Sequence, residues 1–126
     1  MNKIKFLLVL LLVVLSVPSF AFDGAKVSKA MNQAAYAGEV LNHLMHPGMP
    51  KPWTNPQFSQ MQNKLSEAWT TINTEISTIE TQKDIEKCTV IVENFKQLKG
   101  TYRDLGHQVE VALKERIAFL KAHGAI

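Results

Sequence analysis

His46-Pro47-Gly48-Met49-Pro50-Lys51-Pro52-Trp53-Thr54-Asn55-Pro56 contains four of the five prolines in a chain of 126 residues. Proline has no backbone N–H, and its ring clashes with the preceding helical turn, so no helix runs through this stretch. It divides the chain in two. Before it the pattern is an apolar leader and one helix; after it, helical periodicity continues almost to the last residue. This predicts an all-α fold: a small three- or four-helix bundle after a cleaved signal peptide, with a Pro-rich loop between the first and second helices.

Immediately before the stretch, Val27, Ala30, Met31, Ala34, Ala37, Leu41, Leu44 and Met45 recur at steps of three and four. That spacing predicts an amphipathic helix over about 25–45 with these residues on its buried stripe. Asp23 is placed to cap its start, and Pro47 with Gly48 ends it. Ala30, Ala34 and Gly38 repeat every four residues, which lets a partner helix approach closely.

Further out, Lys3 and Lys5 precede an apolar run from Phe6 to Val17 broken only by Ser16, and Ser19-Phe20-Ala21 has small residues at both recognition positions of a cut after Ala21. The pattern is that of a secretory signal peptide, residues 1–21, too short for a comfortable membrane span. It predicts a periplasmic or secreted protein consisting of one domain, 22–126, attached to a membrane only if the leader stays uncut. Removing Lys3 and Lys5 takes two of the 14 basic residues against 11 acidic ones, so a formal charge of +3 falls to +1. No basic block remains to favour nucleic acid. The single cysteine, Cys88, allows no internal disulfide. It sits on an apolar stripe, where it is either a buried thiol or a link between protomers.

After the stretch, Asn55-Pro56 offers an N-cap followed by proline at the first helical position. Phe58, Met61, Leu65, Ala68, Trp69, Ile72, Ile76 and Ile79 mark a second helix, about 56–80. Thr81 and Asp84 have capping-box spacing and open a third, about 82–99, with the stripe Ile85, Cys88, Val92, Phe95 and Leu98. Thr101 and Asp104 repeat that spacing before a fourth, about 101–122, carrying Tyr102, Leu105, Val109, Ala112, Leu113, Ile117 and Leu120. Gly100 either reverses the chain or bends one long helix. A one-glycine link is short for a reversal, and the stripe crosses it in phase, so both arrangements fit the pattern.

Glu39, His43, His46 and Met49 offer carboxylate, imidazole and thioether donors of the kind that hold copper or zinc. With Leu41 at the centre of the buried stripe, Glu39, His43 and His46 fall at about 160°, 200° and 140°, on the opposite face. Any metal site is therefore at the surface, and histidines near a helix C-terminus also suit the helix dipole. Met31 and His123 would meet as haem ligands in an up-down-up-down bundle. Against this, the long loop follows the first helix, and His123 is three residues from the end.

No His-Glu-x-x-His, no Gly-x-Ser-x-Gly and no glycine-rich phosphate loop is present, so a non-enzymatic role is expected. The outer face of the second helix, with Ser66, Thr70, Thr71, Asn73, Thr74, Ser77, Thr78 and Thr81, is weakly charged and poor in the lysine and glutamate usual on exposed helices. Arg116 near the centre of the fourth stripe also suggests a surface that is not a sealed core. Trp53, flanked by prolines, either covers one end of the bundle or is offered to a partner. The expected function is protein–protein interaction as an envelope adaptor, a chaperone or an accessory subunit of a secretion or pilus-type assembly. The contact candidates are Met49, Trp53, Thr70, Thr74 and Thr78, and the partner is an envelope protein or a second copy. The alternative is a small bundle that binds copper or haem.

Overall fold

The computed structural model describes residues 21–48 and 51–126, and the leader through residue 20 lies outside them. Four α-helices follow in order: α1 (Gly24–Leu44), α2 (Pro56–Ser77), α3 (Gln82–Lys96) and α4 (Thr101–Ala122). No strand occurs among the described residues. Within the proline-rich stretch, Met49 and Pro50 are not described, and Pro52–Thr54 makes a single 3₁₀ turn.

Local chemistry fixes most of the helix starts. The Asp23 carboxylate accepts from the Ala25 and Lys26 N–H groups, and the Asn55 side chain accepts from Gln57 N–H ahead of Pro56. The Thr81 hydroxyl accepts from Asp84 N–H at 3.1 Å. Each bond satisfies a donor that an α-helix leaves open at its first turn. The fourth start departs from expectation. Gly100 is the N-cap and contributes no side chain, while Thr101 is already helical and sends its hydroxyl to the Ala35 carbonyl at 2.9 Å. The Thr101/Asp104 spacing thus marks a tie between helices rather than a cap.

The chain reverses before α4. In one continuous helix, Lys96 and Glu110 would stand about 21 Å apart; instead, Lys96 Nζ lies 2.7 Å from Glu110 Oε2. The connection spans Gln97 to Gly100, and Gly100 takes φ +64°, a left-handed value that glycine adopts without strain. The in-phase stripe across Gly100 is compatible with this because both helices turn their stripes to one core. Gly106 makes the reversal tight: a Cβ there would sit 2.9 Å from Lys96 N and 3.1 Å from Phe95 Cβ. Phe95 and Tyr102 stack across the same junction.

The helices run up, down, up, down, with α1 beside α2 and α3 beside α4. Val27, Met31, Ala34, Ala68, Ile72, Ile76, Ile85, Cys88, Val92, Phe95, Leu105, Val109, Leu113 and Leu120 form one buried cluster drawn from all four helices. Full burial of the larger members contributes about 1.5–3 kcal/mol each. The stripes read from periodicity supply all of it but Ala35, while some stripe residues, Phe58 among them, stay outside it. Met45, expected to extend the α1 stripe, is exposed as the C-cap residue, because α1 stops at Leu44. Leu98 is exposed in the α3–α4 connection, and Leu41 is only half-buried.

Arg116 has a structural explanation. Its Nε donates to the Ile79 carbonyl at 2.9 Å, and its guanidinium lies 4.9 Å from the centre of the Phe119 ring. Ile79 itself is fully buried beyond the end of α2. Arg116 therefore ties α4 to the α2–α3 connection, which makes it a fold contact.

Candidate functional site

Thr101 meets α1 at Ala35, and Gly100 stands opposite Glu39. From the level of Glu39, α1 continues five residues to Leu44, about 7–8 Å. The end of α1, the 3₁₀ turn and the start of α2 therefore form a two-helix tip projecting past the α3–α4 connection. Ala37, Leu44 and Met61 are buried without joining the four-helix cluster, so the tip has a small core of its own.

The tip carries the two most exposed large apolar side chains among the described residues, Trp53 at 69% and Met45 at 61%. Thr54 closes the 3₁₀ turn with a 2.7 Å bond from its hydroxyl to the Lys51 carbonyl. The turn holds Trp53 outward, so the indole does not cover the bundle end. An indole in water leaves a large apolar surface unburied, which is why such rings concentrate at binding surfaces.

The tip also holds Glu39, His43 and His46, all exposed. His46 Nδ1 donates to the Pro47 carbonyl at 2.9 Å, which leaves Nε2 as the free nitrogen. Among the described residues no three His, Cys, Asp or Glu side chains converge to hold a metal ion. Met49, the fourth proposed ligand, lies outside the described residues. The haem pair differs sharply in environment. Met31 is fully buried in the core, whereas His123 is exposed at the end of α4, its Nδ1 donating to the Phe119 carbonyl at 2.8 Å and its ring against Phe119.

The second candidate surface is the outer face of α2. Thr70 donates to Ser66 O at 3.0 Å, Thr71 to Glu67 O at 3.2 Å and Thr74 to Thr70 O at 2.7 Å. Ser77 donates to Thr74 O and Thr78 to Glu75 O, both at 2.6 Å. Hydroxyls turned back onto the helix backbone are already satisfied. The threonines therefore present methyl groups, and the face is less polar than its composition suggests. A groove of about 420 Å³ between α1 and α2 lies along it, lined by Lys26, Lys29, Gln33, Thr70, Thr71, Thr74 and Glu75.

Glu75 is the feature that periodicity misses. Counted by sequence among the few charges of α2, it is only 4% exposed, and its Oε1 accepts the Asp23 N–H at 2.9 Å. Its position beside Ile76 and one turn from Ile72, at the edge of the stripe, is the one signal the sequence offers. Cys88 is fully buried, and burial pushes its thiol up to about 11. It is inert at neutral pH and out of reach of a second copy. Lys96 is raised from its ordinary value chiefly by its hydrogen bond to Glu110, and the same bond holds Glu110 below the usual carboxylate range.

No helix among the described residues is long and apolar enough to cross a membrane. No protein-family model, no curated protein and no solved structure matches the chain.

Proposed function

We propose that this is a secreted or periplasmic, non-enzymatic helical bundle that acts by binding another protein of the cell envelope, with the two-helix tip as the contact. The observation that carries this reading is Trp53, held 69% exposed at the end of a projection by a turn that does not fold it onto the core. Met45 on the same tip and the methyl-bearing face of Thr70, Thr74 and Thr78 add surface that is removed from water with little loss of charge solvation. Adaptor, chaperone and accessory-subunit roles all use such a surface, and self-association uses it equally well.

A photo-crosslinking residue at position 53, in protein recovered from the periplasm, tests the proposal. One discrete adduct, with an envelope protein or a second copy, is expected. Trp53→Ala should weaken that association at least tenfold while changing stability by less than about 0.5 kcal/mol. A strict monomer without an adduct overturns the proposal. So does a haem absorption band lost on His123→Ala, or stoichiometric copper lost on replacing His43 and His46.

A further inference from the structure

Glu75 is the only buried charged residue among those described. A carboxylate taken out of water is costly unless a cation or several donors attend it. Among the described residues, its carboxylate accepts one hydrogen bond, from the Asp23 backbone N–H. None of the ion pairs among the described residues includes it, and Lys26 and Lys29 line the adjoining groove without reaching it. The Asp23 carboxylate next to it is occupied in capping α1 and adds a second negative charge. Among the described residues, the site lacks a cation.

The atom best placed to become one is the Phe22 nitrogen. Successive backbone nitrogens lie within about 3.8 Å, so Phe22 N is no more than about 7 Å from Glu75 Oε1, given the 2.9 Å bond from Asp23 N. Phe22 is fixed there, partly buried against the main core, with its ring near Gly24. The Ser19-Phe20-Ala21 pattern ends one bond before this nitrogen.

We propose that Glu75 receives the α-ammonium created when the chain is cut between Ala21 and Phe22, so that processing completes an ion pair which the precursor lacks. This rests on the secretion reading. A signal peptidase adds water across the Ala21–Phe22 peptide bond: the hydroxyl goes to the Ala21 carbonyl, and hydrogen to the Phe22 nitrogen. That amine takes up a further proton at neutral pH, since a free α-amino group titrates near 7.7–8.0. A nearby carboxylate favours the ionised amine. The ammonium then pairs with Glu75, and the Phe22 ring, packed against the core, holds it in place.

The test uses two chains, one beginning at Phe22 and one retaining Ala21, each with the native Glu75 and with Glu75→Gln. Glutamine keeps an acceptor for Asp23 N–H, so folding is preserved. The chain beginning at Phe22 should melt about 4 °C higher, and the gap should close in the Glu75→Gln pair. Equal melting of the two wild-type chains overturns the ion pair. As a second measurement, acylation of the Phe22 amine at neutral pH should be several-fold slower in the wild-type chain than in the Glu75→Gln chain, and equal rates also overturn the pair. The intact mass of protein exported with its own leader should correspond to a Phe22 start, and a different start overturns the processing step. Failure of export alone removes the secretion reading, while the two purified chains still decide the ion pair.

Discussion

At the level of Ala35 the protein is four helices thick; at Leu44 it is two. The body buries Val27, Met31, Ile72, Val92 and Val109 almost completely and is closed by the Arg116 and Thr101 bonds between distant segments. Among the described residues of the tip, Ala37, Leu44 and Met61 are buried, Leu41 and Phe58 are partly so, and Met45 and Trp53 lie in water. Apolar side chains are exposed in both regions, Val90 and Val111 on the body among them, but the body also closes a core drawn from all four helices. Packing in the body stabilises the fold, while the apolar surface at the tip remains open to something else.

Substitutions should separate the two regions. Ile72→Ala, in the body, should cost about 3–4 kcal/mol by urea unfolding and lower the protection of all four helices together. Gly106→Ala comes next. Alanine favours a helix by about 1 kcal/mol, but its methyl would meet Lys96 N at 2.9 Å. A net destabilisation of about 1–3 kcal/mol is expected, and a gain would mean that α3 and α4 part easily. Leu44→Ala should cost about 2 kcal/mol, low for a buried leucine, because a two-helix tip closes around the gap. Amide exchange should then accelerate at 40–44 and 56–61 and stay slow in the body. Equal acceleration everywhere would erase the distinction between the regions.

The smallest effect concerns the Lys96–Glu110 pair that joins α3 to α4. The Lys96 hydrogen bond holds Glu110 below the usual carboxylate range in the folded protein, so its stabilising share belongs to pH above that of a free carboxylate. That share is lost as pH falls through the lower folded value. Lys96 titrates above 10.5, so its share is present below that pH and is lost as pH rises through the higher folded value. Both groups are partly exposed, and the effect is small. Glu110→Gln should flatten the acid side of a plot of melting temperature against pH, and an unchanged plot would remove the pair from the account.

Periodicity reveals the helices and most of the core because burial repeats at 3.6 residues per turn, and side-chain caps place three of the four starts within a residue or two. Gly100 is ambiguous in the sequence because a pattern records phase and not direction: two antiparallel helices facing one core keep the phase that a single helix would have. Arg116 misleads, and Glu75 goes unnoticed, for a different reason. Their partners, the Ile79 carbonyl and the Asp23 N–H, are backbone atoms 37 and 52 residues away. No side-chain pattern announces those. At the candidate site, Trp53 stands out by its proline neighbours, while its projection depends on where α4 begins against α1.

The hydroxyl ladder of α2 has one more consequence. Thr70, Thr74 and Thr78 turn their hydroxyls back to the helix. The exposed residues of that span, Thr70, Asn73, Thr74 and Ser77, carry no charge of their own, and Lys26 and Lys29 lie across the groove. An association confined to those uncharged residues should change little with salt, and a strong salt dependence would place Lys26 and Lys29 in the contact.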